Sequence, residues 1–276
     1  MSDAHHPVIG FIGAGNMAHC LINGLIADDY PASHIWASDP NPEQLAFLTQ
    51  QFQIHTSKEN TDIVTHADIL VLAIKPQVMK DVLSPLSALI HKTKPLIISI
   101  AAGITETALN QWLGSDKAIV RCMPNVAAFV GSAATGMYAN SHVTALQRDL
   151  AETILRSVGI TLWVKDEKLI DTIAALSGSG PAYFFTVMES LEKTAIKLGL
   201  NEEDAHLLTL QTALGAARLA LSTNESTKEL RERVTSKGGI TEKALAVLET
   251  HRTPDAFSKA LEAAHARSIE LSKQLI

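Results

Sequence analysis

A chain of 276 residues is longer than one ordinary domain, and 46% hydrophobic with 19% charged residues describes a folded globular protein, not a disordered or collagen-like one. Its net charge of −6, with no basic run longer than the mixed KELRER at 228–233, leaves no electrostatic footprint for nucleic acid. Cys20 and Cys122 stand far apart in apolar stretches, without a CxxC pair or metal-ligand spacing to the eleven histidines, so buried thiols in a reducing cytoplasm are expected and no metal.

The chain opens MSDAHHPVIGFIG, without the basic segment or small-x-small cleavage site of a secretory signal, and His5 and His6 read as tail residues. A first strand is expected at 8–12, and Gly13, Gly15 and Ala18 follow it in the GxGxxG/A pattern as a helix begins. The first glycine permits a tight turn, the second admits a pyrophosphate to the backbone, and the small third residue lets helix pack on strand. Phosphate charge would then meet the free N–H groups of the helix start. Further strands are expected at 35–38, 69–73, 96–100, 118–122, 135–138 and 161–164. Between them apolar residues recur at helical spacing, as in Leu21, Ile22, Leu25 and Ile26, or Leu45, Phe47 and Leu48. That alternation predicts an α/β domain over 1–165: a mainly parallel Rossmann-type sheet covered on both faces.

Asp39 closes the second strand 26 residues after Gly13. There a carboxylate either binds the adenine ribose, which favours NADH, or starts the turn SDPNPEQ and caps the next helix.

From residue 166 the β-branched runs vanish and the pattern is helical to the end, which predicts a second domain over 166–276. Phe184, Val187, Met188, Leu191, Ala195 and Leu198 share one face, and Gly199 supplies a stop. The helix at 203–222 is apolar on nearly every side, yet Gln211 and Arg218 argue against a membrane span. A hundred-residue helical domain has too little volume to surround it, so a second subunit is expected to cover it; a place at the centre of its own bundle is the alternative. In SGSGPAY, Pro181 suits the first position of a helix whose free N–H groups would face an anion, or else the segment simply joins the domains. In SKGGIT the glycines at 238 and 239 permit a concave turn open to a carboxylate. Thr241, by spacing alone, is an N-cap hydroxyl for the next helix.

LAIKPQ at 72–77, SIAAGIT at 99–105, VRCMPN at 120–125, LSGSGPAY at 176–183 and TSKGGITEKAL at 235–245, in this order and at these spacings, resemble the pyrroline-5-carboxylate reductase family over essentially the whole chain. The resemblance implies a Rossmann domain followed by an all-helical dimerisation domain, a homodimer that can build into a ring of dimers, and reduction of 1-pyrroline-5-carboxylate to L-proline by NADPH or NADH. No nucleic acid or membrane partner is implied. Ile12, Gly13, Ala14, Gly15, Asn16 and Met17 correspond to the pyrophosphate loop, and Asn60 to the asparagine on the adenosine side, where the spacing also puts Asp39. Ala73, Ile74, Lys75 and Pro76, with Ile100, Ala101 and Ala102, correspond to the strand ends that flank the nicotinamide. By the same resemblance Ser236, Lys237, Gly238 and Gly239 would form the carboxylate-binding turn, and Thr241 would reach the imine nitrogen. Lys237 stands where the family often has proline, and Arg233 where some relatives have asparagine. A hydroxy-acid dehydrogenase using Lys193, Lys197 or Lys237 as its acid, and a cofactor-binding regulator without turnover, remain as alternatives.

Overall fold

A computed structural model describes residues 6–275. The chain forms two compact units, one of Met1–Ser179 with Ala264–Ile276 and one of Gly180–Ala263.

In the first unit the elements alternate: β1 (Ile9–Ile12), α1 (Asn16–Ala27), β2 (Ile35–Ser38), α2 (Pro42–Phe52), β3 (His55–Ser57), α3 (Asn60–His66) and β4 (Ile69–Leu72). They continue as α4 (Met79–Leu83), α5 (Ser87–Thr93), β5 (Leu96–Ser99), α6 (Glu106–Leu113), β6 (Ile119–Met123), β7 (Ala133–Ala139), α7 (Ala145–Arg156), β8 (Gly159–Trp163) and α8 (Leu169–Ile173). The eight strands form one sheet in the order β3-β2-β1-β4-β5-β6-β7-β8, parallel except where β7 runs against β6. Successive residues of a central strand feed opposite cores: Ile69 and Val71 pack on one face, Leu70 and Leu72 on the other. Burial on both sides explains why these strands read as unbroken apolar runs. All seven expected strands form. The one not expected, His55–Ser57, is three residues long, lies at the sheet edge and carries no apolar run. Cys20 and Cys122 are buried free thiols, and burial raises the pKa of each.

SGSGPAY differs from its expected form. Ala174–Gly178 is a π-helical turn continuing α8, and the Ser179 N–H is bonded to the Ala174 carbonyl at 2.9 Å, so that donor is not free for an anion. Pro181 lies inside the first turn of α9 (Gly180–Lys197) and has no N–H for the carbonyl four residues earlier. That carbonyl, Ser177 O, accepts from the Asn125 side-chain amide at 2.9 Å instead. By contacts the first compact unit extends to Ser179, because α8 packs on β6 and β7.

In the second unit α9 and α10 (Glu202–Leu221) form an antiparallel hairpin, with Gly199 at φ +110° in the turn and His206 Nδ1 3.0 Å from Glu192 Oε2. α11 (Thr227–Arg233), α12 (Ile240–Thr250) and α13 (Thr253–Gln274) follow, and α13 ends in the first unit. Along α10 only Ala205 is buried; Leu207 is 63% and Leu221 86% exposed, so α10 is not the centre of its own bundle. No described helix is long and apolar enough to cross a membrane.

Candidate active site

Neighbouring strands β1, β4 and β5 bring three of the expected segments to one edge of the sheet. Ala73 N–H donates to Ile12 O at 2.8 Å and Ile100 N–H to Leu72 O at 3.3 Å, which places Ile12 to Met17, Ala73 to Pro76 and Ile100 to Ala102 side by side at the strands' carboxyl ends. Gly13 adopts φ +99°, and a Cβ there would meet Ala73 O at 2.6 Å, so both its conformation and its surroundings require glycine. Gly15 precedes α1 with no capping side chain and no acidic residue in the first turn, and a Cβ on it would meet nothing within 4 Å. Uncapped N–H groups behind an open approach suit a diphosphate. Pro76 holds Lys75 extended at φ −61°, ψ 139°, and the Lys75 side chain is exposed.

Asp39 is tied into this edge. Its Oδ2 accepts the Ala14 N–H and its Oδ1 the Asn41 N–H, both at 2.9 Å. The cap of α2 is Asn41, which accepts the Glu43 N–H at 2.9 Å, so the capping alternative for Asp39 fails. Ser38, absent from the expected set, donates through Oγ to Asn60 Oδ1 at 2.7 Å and holds Asn60 at the start of α3. Its only sequence signal is a hydroxyl at the last position of a buried strand. His19 stacks on Phe47 with centroids 5.0 Å apart. Its burial lowers the imidazole pKa, against the Ala14 carbonyl and the Asp39 charge, and Nε2 finds no partner among the described residues.

A buried polar web anchors the far end of the Ile100 segment. Glu167 Oε1 accepts the first N–H of α6, from Glu106, at 2.6 Å and pairs with the buried Arg121 guanidinium at 2.5 Å. Glu106 Oε1 in turn accepts from Asn140 Nδ2 at 2.9 Å. Gly103 lies against Leu271 and Leu275, so the end of α13 closes over the same loop.

On the second unit, Ser236, Lys237, Gly238 and Gly239 form the turn between α11 and α12. Gly239 N–H donates to Ser236 O at 2.9 Å, and Gly238 adopts φ +73°. The Gly238 N–H donates to Glu242 Oε2 at 2.7 Å. The turn thus already binds a carboxylate, the chain's own, which occupies the position proposed for a ligand's. Gly239 is the residue that precedes α12, so Thr241 sits two places inside the helix and is not its cap. The Thr241 hydroxyl has no hydrogen-bond partner among the described residues. Lys237 is exposed, whereas Arg233 pairs with Glu225. Lys193 pairs with Glu189 one turn away on an exposed helix face.

A family model described as pyrroline-5-carboxylate reductase dimerisation matches residues 167–271, and one described as NADP oxidoreductase coenzyme F420-dependent matches 8–103. The pyrroline-5-carboxylate reductase of Pseudomonas aeruginosa is 48% identical over 269 residues, covering 98% of each chain. The chain belongs to the pyrroline-5-carboxylate reductase family. A solved reductase of this family from Coxiella burnetii, 46% identical, superposes with a TM-score of 0.92 over 96% of this chain and 98% of its own. That of Plasmodium falciparum, solved with NADP bound, is 28% identical with a TM-score of 0.86 over 97% and 98%. Like the family, the chain is an NAD(P)H-dependent oxidoreductase with a helical domain for self-association.

Proposed function

We propose that this chain reduces 1-pyrroline-5-carboxylate to L-proline, with the Rossmann edge holding NAD(P)H and the Ser236 to Thr241 turn holding the substrate. The observation that carries the reading is the turn itself, where the Gly238 N–H receives a carboxylate beside a threonine hydroxyl that its own helix does not use. When bound, the reduced nicotinamide supplies a hydride to the C=N carbon. The chain's residues bind and orient. Gly13 to Met17 receive the diphosphate, Asp39 and Asn60 face the adenosine side, and Ala73 to Pro76 with Ile100 to Ala102 line the nicotinamide side. The Ser236 hydroxyl and the Gly238 N–H bind the substrate carboxylate in place of Glu242, in the turn that Gly239 closes, helped by the Lys237 ammonium. Thr241 Oγ1 bonds the ring nitrogen, which must carry a proton as the C=N bond becomes C–N. Orientation of this kind supplies much of the acceleration of such a reaction, and no strong acid is required.

Asp39 makes NADH the preferred coenzyme. Its charge, held by two main-chain donors, would repel a 2′-phosphate by roughly 4 kcal/mol at 4 Å and an effective dielectric near 20, before screening. The helical domain, counted from residue 166, forms a homodimer. The exposed Ile160 and Leu162 of β8 give the first unit a further apolar surface, on which dimers join into a ring. Two buried free thiols fit a cytoplasmic location.

Purified protein given pyrroline-5-carboxylate should oxidise NADH, and NADPH more slowly, with L-proline as product. Absence of turnover with both coenzymes would overturn the proposal and leave the regulator reading.

A further inference from the structure

Among the described residues of the first unit two cationic side chains are buried, Arg121 at 4% and Lys117 at 5% exposure. Arg121 has the Glu167 carboxylate. Lys117 has none: among the described residues its Nζ meets only His91 Nδ1 at 3.2 Å and the Ser115 carbonyl at 3.1 Å. An ammonium has three donors and a full charge, and burying that charge without a counter-charge is unfavourable. Lys117 also lines a pocket of about 600 Å³ that includes Lys94, His142 and Gln147. His91 accepts from Lys117 through Nδ1, which leaves Nε2–H as a donor. The one acid of the pocket, Asp116, has its side chain 81% exposed and stands 3.8 Å from His142 Nε2. The carbonyl end of α5 accounts for His91 in its last turn. It does not account for a buried lysine head contributed by the chain ahead of β6.

The pocket lies where β5 and β6 begin, at the opposite edge of the sheet from Gly13 and Ala73. In a chain of net charge −6 it gathers two ammonium groups and two imidazoles around unfilled space. We propose that this pocket is a second binding site, for a small anion carrying a phosphate or carboxylate group, with the Lys117 ammonium as its central contact. His91, His142 and Lys94 complete the charge-assisted contacts, and the bound anion ties the end of α5 to the starts of β6 and α7.

Equilibrium dialysis of the full-length protein against radiolabelled inorganic phosphate tests this, with saturating NADH and NADPH present to fill the coenzyme's own phosphate subsites. One phosphate per chain should bind, about tenfold more weakly after Lys117→Gln, in keeping with loss of a charge-assisted hydrogen bond. His142→Gln, at a half-exposed side chain, should weaken it severalfold, and Lys117→Arg should retain it. Reductase turnover should be unchanged in all three variants. Succinate as competitor separates the two ligand chemistries: displacement of the label extends the site to carboxylates, and failure to displace confines it to phosphate. No binding by wild type up to about 10 mM with both coenzymes present, or equal binding by wild type and Lys117→Gln, would overturn the proposal.

Discussion

Thr241 lies two positions past the cap of α12, and its hydroxyl stays unclaimed among the described residues. Thr241→Ala should therefore lower kcat by about fivefold or more, the worth of one hydrogen bond, without moving the melting temperature. Steady-state rates beside a thermal melt check both halves; an unchanged rate with a lower melting temperature would make the hydroxyl structural. Glu242 competes with any incoming carboxylate for the Gly238 N–H. Glu242→Gln should lower KM for pyrroline-5-carboxylate by roughly threefold, since a neutral amide accepts less strongly than a carboxylate. Asp39→Asn keeps an acceptor for the Ala14 N–H but removes the charge. The ratio of kcat/KM for NADPH to that for NADH should rise about tenfold, a cautious fraction of the unscreened repulsion.

At the level of single elements, the π turn at Ala174–Gly178 and Pro181 leave one main-chain acceptor for another part of the fold to satisfy, and Asn125 does so. Asn125→Ala should cost about 1–3 kcal/mol and lower the midpoint of thermal unfolding by several degrees. A calorimetric scan of the variant measures this, and a wild-type midpoint would contradict the accounting. Neither the π turn nor its partner was legible in the sequence. SGSGP has the composition of a loop followed by a helix start, and a donor 52 residues away leaves no local trace. The same reason hid Ser38 and the Glu167 contact with Glu106, both of which depend on segments that meet only in the folded sheet. What could be read was local and periodic: the apolar strands, the glycine turn after β1, and Lys75 held extended by the proline behind it. β3 escaped because three half-polar residues carry no period at all.

For the whole molecule, the exposed leucines of α10 are the dominant fact. Leu207, Leu208 and Leu214 are 63%, 55% and 44% exposed, far more apolar surface along one helix than a lone chain would be expected to show water. Leu214→Glu should raise the dimer dissociation constant at least about a hundredfold, because a carboxylate would be buried without a partner. Sedimentation velocity across a dilution series shows whether wild type stays associated while the variant dissociates. The two-part organisation was readable from the change in residue pattern after 165. The return of Ala264–Ile276 to the first unit was not, since an amphipathic helix does not announce where along its length its neighbour changes.

The carboxylate of Asp39 on the Ala14 N–H also bears on timing. With that bond made, and with Gly13 close against Ala73, the loop proposed for the pyrophosphate is tied down on both sides before anything arrives. Capture of a coenzyme then waits on collision and not on a loop finding its form, so little ordering entropy is left to lose on arrival.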